Sequence, residues 1–313
     1  MTLAYLLIAG ALATEPETAT EEPATEATEV VEPSEPEPEP AWTPTFPGEP
    51  SPDYAHYDLE LLYKDKSFDA GLAKSREKLA ATPDDADLYW HAARFMFEQG
   101  ELFGRDDTSI DKEAHYAEMV RLTEAGLELR PNDPHLLFAR GVGNGRLGTT
   151  RGVLSTLWLA SSVEADWLAA AGSGFEYASI DGAELLPCDA HHALGIYYRL
   201  VPDAWIVKVI AGTRGSLDKS LHHLEKAHAC SPGRQHTEKE LGVTRLCIGT
   251  KRKDPAMIEQ GKEILAKAAK HPETTDKAKI DNRHSRLLID DPSLACGYSR
   301  DGQQETDTSK LEK

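Results

Sequence analysis

The sequence predicts an all-α fold: about four helical hairpin repeats closed by a C-terminal capping helix, interrupted by one hydrophobic insertion and preceded by a disordered acidic tail. Three observations predict it. Apolar residues recur at helical spacing through most of residues 54–289. Small residues, such as Gly195 and Ala227, stand where two antiparallel helices must come close. Proline and acidic turns punctuate the helices at short intervals, as in Leu129-Arg130-Pro131-Asn132-Asp133-Pro134, which closes one helix and opens the next.

Charge sets the N-terminal tail apart from the rest of the chain. The chain has 313 residues and a net charge of −19, and its first base is Lys64. Residues 14–53 hold twelve acids and ten of the nineteen prolines, leaving −7 for everything else. Such a segment buries too little apolar surface to offset its chain entropy, so disorder is expected, extended by self-repulsion. Before it, residues 3–13 are apolar or small with one Tyr and end Ala11-Leu12-Ala13. That small-x-small ending is the pattern of a cleaved signal peptide, residues 1–13, although no Lys or Arg precedes it. The run is too short to span a bilayer, and no Cys follows it, so no lipid attachment is expected there. Export, to a periplasm, is the predicted destination. The acidity argues against nucleic acid, because nothing is available to neutralise phosphates in bulk, and against anionic lipid.

Helices are predicted over 56–63 and 68–81, the second stopped by Pro83. Asp84 and Asp85 supply an acidic first turn for a helix over 86–99. A polar loop spans 100–111. A long amphipathic helix covers 113–129, and the next covers 135–147, with Gly141 at a packing position followed by Gly143 and Gly145. Each interior Gly costs roughly 1 kcal/mol against Ala in a helix, so close helix contact or a bend is expected there. Residues 152–171 are the most apolar stretch after the tail, with only Glu164 and Asp166 interrupting. They read as one helix buried nearly all round or covering a groove. A loop over 180–187 follows. Helices are then predicted over 238–250, 255–270 and 277–289, the last polar on most of its surface as a cap requires. Residues 290–313 read as a partly docked coil and a frayed tail.

Between 189 and 232 the repeat spacing is clearest. Leu194, Gly195 and Tyr198 fit the first helix of a tetratricopeptide repeat, and Ser220, Leu224, Ala227 and Pro232 the second. Between them lie about a dozen extra residues that are not polar, among them Leu200, Val201, Trp205, Ile206, Val207, Val209 and Ile210.

The stretches HHALGIYYRLVPDAWIVKVIAG, SLDKSLHHLEKA, SPGRQHTEKELGV and AKHPETTDKAKIDNRHSRLL carry a further resemblance. They resemble the helical domain of the regulator-of-microtubule-dynamics family and the bacterial periplasmic T component of TRAP-type transporters. The shared features are the hydrophobic insertion with a Trp near Trp205 and a late helix ended by a Pro like Pro272. The likeness covers residues 86–288 and is good from 189 on; residues 149–187 depart from both. It implies a non-enzymatic, self-associating protein with a hydrophobic groove or pore that passes an apolar ligand to a binding-protein partner. Microtubule association fits poorly with export.

The chemistry-bearing residues point the same way. No phosphate loop is present: Gly212 to Gly215 is too short and lacks the Lys-Ser/Thr pair. The glycines from 141 to 148 lie in a helix and follow no strand. No Gly-x-Ser-x-Gly elbow occurs. No catalytic residue and no cofactor is therefore expected. His191, His192, His222, His223 and His228 fall on two helices that pack together, which could set His192 near His223 or a His near Cys230. None has the i, i+4 spacing that aligns zinc ligands, so no metal site is expected. Cys188, Cys230, Cys247 and Cys296 contain no CxxC pair. They leave open one or two disulfides, with Cys230 and Cys247 placed to meet, or thiols filling gaps between helices. Candidate binding residues are Tyr197, Tyr198, Arg199, Trp205, Ile206 and Val209, with Lys208 and Arg214 at the edge for an anionic head group. Trp158 and Trp167 join them from the apolar stretch. Tyr198 also occupies a core position between paired helices. The expected function is a non-enzymatic exported scaffold binding a protein partner or an apolar small molecule, as a transporter accessory. The alternative is a self-assembling envelope protein with the acidic tail as spacer. Neither reading includes a transmembrane helix or nucleic acid.

Overall fold

The computed structural model describes residues 50–103 and 110–306. The expected signal segment 1–13 and residues 14–49 of the acidic linker lie outside them, as do 104–109 of the expected loop and 307–313.

Twelve α-helices make up the described chain: α1 (Tyr57–Lys64), α2 (Phe68–Ala81), α3 (Ala86–Leu102), α4 (Lys112–Leu129), α5 (Pro134–Arg151), α6 (Ala160–Gly172), α7 (Cys188–Leu200), α8 (Trp205–Ala211), α9 (Leu217–Cys230), α10 (Gln235–Arg252), α11 (Pro255–Ala268) and α12 (Asp276–Asp290). Their starts are set locally. The side chains of Asp85, Asp111, Asp133, Ser216, Asp254 and Thr275 each accept from a backbone N–H of the first turn. That satisfies donors which the helix itself leaves open. Pro134 and Pro255 stand in the first turn, where no N–H is needed.

The helices stack as hairpins. After α1 and α2 come the pairs α3/α4, α5/α6, α7/α9 and α10/α11, and α12 lies over α10 and α11. Neighbouring pairs share a continuous core running from Leu59 and Phe95 through Trp167 to Tyr198 and Val207. A second core about Val243, Leu246, Leu265 and Leu288 holds the C-terminal end. The glycines of α5 serve close contact, as expected: a Cβ on Gly141 would lie 2.4 Å from the Trp167 indole nitrogen, and one on Gly143 2.8 Å from Val120.

Four expectations are corrected. Residues 152–171 are not one helix. Gly152, at φ 95°, ends α5, and a 3-10 segment, Val153–Leu159, kinks at Thr156 before α6 begins. The Thr156 hydroxyl donates back to Val153 O at 3.2 Å and Gly152 O at 3.1 Å, a local alternative to the α-helical ladder. Nor is the stretch buried all round, since Trp158 is 64% exposed. The expected loop over 180–187 contains a strand, β2 (Leu185–Leu186), which pairs antiparallel with β1 (Tyr177–Ala178) just before it. The cysteines pair as Cys188–Cys230 and Cys247–Cys296, not Cys230 with Cys247. Cys188 opens α7 and Cys230 closes α9, so pairing α7 with α9 sets those two side by side. Finally, the terminal segment, expected as a partly docked coil, holds regular structure among its described residues: a 3-10 turn (Pro292–Ala295) leads to a hairpin of β3 (Tyr298–Ser299) and β4 (Gly302–Gln303).

Candidate functional site

The hairpins curve around a cavity of about 810 Å³, within the size range of ligand sites. Its two walls differ in chemistry. One is apolar: Phe138 and Val142 of α5, Leu157 of the 3-10 segment, Val163 and Trp167 of α6, and Ile196 and Leu200 of α7. These residues face inward because helical periodicity places them on the side where neighbouring hairpins meet. The Trp167 indole is fixed by donating to Phe138 O at 3.2 Å.

The other wall is a ladder of buried ion pairs from α3, α10, α12 and the C-terminal hairpin. Lys277 donates to Glu98 at 2.9 Å, and Tyr63 also donates to Glu98 at 3.1 Å. One turn on, Glu101 meets Arg146 and, at 3.4 Å, Arg300. Arg300 donates to Asp281 at 2.7 Å, as does Lys239, and Lys239 and Arg199 both reach Glu240. Burial alone would raise the Asp281 carboxyl, but Lys239 and Arg300 hold it well below the usual range. Burial likewise opposes the charge on Lys239, yet Asp281, Tyr298 and Glu240 raise it above an ordinary lysine. Asp281 and Lys239 therefore both carry their charge near neutrality. Removing one partner of such a pair costs about 3–5 kcal/mol, because a buried charge is left alone.

A third group lies at the end formed by α1, α3 and the β1–β2 ladder. Arg94 donates to Glu60 at 2.6 Å, stands 2.9 Å from Glu184, and lays its guanidinium 3.5 Å over the Tyr63 ring. Burial pushes the Glu184 carboxyl up to about 7, assisted by Asp189, Glu60 and Glu98 and opposed by Arg94.

The candidate residues divide between separate places. Tyr197, Arg199 and Trp167 line the cavity. Tyr197 donates to Ala160 O at 3.0 Å, and Arg199 donates to Ala295 O at 2.9 Å and Tyr298 O at 2.7 Å, tying the C-terminal hairpin to α7. Tyr198 instead lies between α7 and α9, its hydroxyl on Glu164 and its ring stacked on His223. Ile206 packs partly against the core. Trp205, Lys208 and Val209 face outward from α8. Arg214 is exposed and pairs with Asp203 at 3.3 Å. Trp158 stands out from the 3-10 segment against which α8 packs. Trp158, Trp205, Val209 and Ile210 are 64%, 69%, 69% and 52% exposed. The same thin layer thus lines the cavity with Leu157 and presents indoles outside.

The histidines separate similarly. His191, not His192, meets His223, with Nδ1 atoms 3.0 Å apart, while His192 packs edge-on to His236. Burial lowers His192 to about 3 and His223 to about 4. Among the described residues one grouping has metal-type ligand atoms within 4.8 Å of one another, His56, Asp85 and Asp87. There Asp85 caps α3 and lies 2.8 Å from His56 Nε2, and Asp87 pairs with Arg130, so both acids already have partners.

Sequence reasoning missed Arg94, Glu98, Glu101, Arg146, Lys239, Asp281 and Arg300. A signal existed in α3: Arg94, Glu98 and Glu101 stand at i, i+4 and i+7, breaking an otherwise apolar face. Their partners come from distant elements and leave no such trace.

No known protein family matches the sequence, and comparison with curated proteins finds no relative.

Proposed function

We propose that this chain is an exported, non-enzymatic helical-repeat protein that binds an apolar or amphipathic small molecule in its central cavity. In this reading it is tetratricopeptide-like and acts in the manner of a TRAP-transporter-associated T component. The observation that carries it is the cavity of about 810 Å³ with one wall of Phe138, Val142, Val163, Trp167 and Ile196. Support for export comes from the two cystine bridges, which persist in oxidising compartments. Among the described residues no helix is long and apolar enough to cross a membrane.

Native mass spectrometry of residues 14–313, purified gently from the host compartment, tests the reading. An apolar adduct that leaves on unfolding is expected. A bare protein that also takes up no hydrophobic dye would sink it.

A second reading, a self-assembling envelope protein or a scaffold for a protein partner, is favoured by the patch of Trp158, Trp205, Val209 and Ile210. Exposed tryptophans of this kind are enriched among the anchors of protein interfaces. Deleting residues 14–53 separates the roles. Loss of a spacer disturbs location or reach and leaves binding by the helical domain intact.

A further inference from the structure

The charged wall of the cavity has hydrogen-bonding capacity left over, and at one place all of it is on donors. Arg199, Lys239 and Arg300 meet between α7, α10 and the C-terminal hairpin. These three cations share two acids. Arg199 Nη2 donates to Glu240 at 2.7 Å, Lys239 bridges Glu240 at 3.1 Å and Asp281 at 2.7 Å, and Arg300 Nη2 donates to Asp281 at 2.7 Å. The next acid, Glu101, is divided between Arg300 and Arg146. With these pairs made, Arg199 Nε and Arg300 Nη1 have no hydrogen-bond partner among the described residues. Arg199 is 4% exposed, and a buried guanidinium N–H without an acceptor is costly.

Every acid of the cluster already has a cation on it, whereas two of the three cations keep an open donor. The unmet demand is for an acceptor. An ammonium head would meet three cations and no spare carboxylate. A hydroxyl head would supply one acceptor, without the charge that strengthens such bonds. A carboxylate supplies two oxygens to two guanidinium groups. All three cations line the same cavity as Phe138, Val163, Trp167 and Ile196.

We propose that the cavity binds an amphipathic carboxylate, with its head group accepting from Arg300 and Arg199 beside Lys239 and its apolar body against the Phe138–Trp167 wall. This rests on the reading of the cavity as a binding site for an apolar molecule and adds the charge of that molecule's head. Arg300 is the position that can be tested without dismantling the wall. Without it, Asp281 keeps Lys239 and Glu101 keeps Arg146.

The test is calorimetric titration of the full chain at pH 7.4, with dodecanoate, dodecanol and dodecylamine below their micelle-forming concentrations. Dodecanoate is expected to bind about tenfold or more tightly than dodecanol, with dodecylamine weakest. Arg300→Gln, checked for native helicity by circular dichroism, should weaken dodecanoate about tenfold and dodecanol by clearly less, so that the preference for the carboxylate is lost. If that variant does not fold, the ranking of the three head groups on the unaltered protein decides. Equal binding of dodecanoate and dodecanol, tightest binding of dodecylamine, or an undiminished preference in a folded Arg300→Gln protein overturns the carboxylate assignment and leaves the cavity as a binding site. No binding of any of the three overturns both.

Discussion

Single residues in this fold are constrained by what touches them, and side chains of one chemical type can carry opposite consequences. Trp167 is buried, closes the space over Gly141 and forms part of the cavity wall, whereas Trp205 is mostly in water. Trp167→Ala should cost about 3–5 kcal/mol, and Trp205→Ala should stay within about 0.5 kcal/mol. Urea unfolding of the two variants reads the difference directly. Similar losses would mean that α8 is bound more deeply into the core than its exposure indicates. The glycines of the Gly212–Gly215 turn also acquire a reason. Gly212 caps α8 in the left-handed region at φ 73°. A Cβ on Gly215 would lie 1.8 Å from Val201 O, and backbone cannot step aside as a side chain can. Gly215→Ala should therefore destabilise by about 3 kcal/mol or more. A near-neutral Gly215→Ala would refute the close approach of the turn to α7.

At the scale of elements, the pairing of α7 with α9 across the hydrophobic insertion is the least local step in the array. It is held at three levels. A Cβ on Gly195 would lie 2.3 Å from Leu224, so the helices touch there. Ser220 donates to Gly195 O at 2.7 Å. Cys188–Cys230 closes the far end over a sequence separation of 42. The loop-entropy account gives such a bridge about 4 kcal/mol. Replacing both cysteines with Ser should lower stability by that order, measured by thermal or urea unfolding against the oxidised protein. A loss under about 1 kcal/mol would show that α7 and α9 hold the hinge unaided. The second bridge, Cys247–Cys296, secures the hairpin whose Arg300 completes the charged wall.

The molecule as a whole should weaken in acid, for a reason spread over several helices. Burial lowers His91 and His135 well below the ordinary histidine range, and lowers His192 to about 3 and His284 to about 4. A group with a depressed folded pKa contributes stability that is present above its unfolded value, about 6.5, and is lost as pH falls through the folded one. Each fully buried histidine therefore removes on the order of 1 kcal/mol per pH unit below about 6.5. Glu184 acts in the opposite sense. Its raised value, about 7, gives stability that is present below the ordinary carboxyl range and lost as pH rises through about 7. Asp133, which burial raises to about 6, acts in the same sense as Glu184, but the buried histidines outnumber these two carboxyls, so the urea midpoint should fall between pH 7 and pH 5. A midpoint that rises over that interval would show that these histidines are not buried neutral. Closure of the array depends on similar long-range contacts. Lys277 of α12 reaches Glu98 of α3, and Asp301 meets Arg146 and Thr149 of α5.

The fold class was legible in the sequence because helical periodicity, capping acids and punctuating prolines are local signals. Helix formation responds to them within a few residues. Asp133-Pro134 and Asp254-Pro255 mark helix starts whatever surrounds them, and Gly141 and Gly195 declare close contact by their size. Where local signals compete, the reading failed: Thr156 and Gly152 turn an apolar stretch into a 3-10 segment and a helix. The cavity was half legible. Tyr197, Arg199 and Trp167 were singled out in the sequence and line it, while Trp158 and Trp205, chosen on the same apolar grounds, face outward. Hydrophobicity does not say which side of a short element meets the core. The charged wall left a trace in the sequence only at Arg199 and in the spacing of Glu98 and Glu101. Lys239, Asp281 and Arg300 are ordinary surface-type residues in one dimension. Only the stacking of α10, α12 and the terminal hairpin removes them from water, and burial is what turns scattered charges into a site.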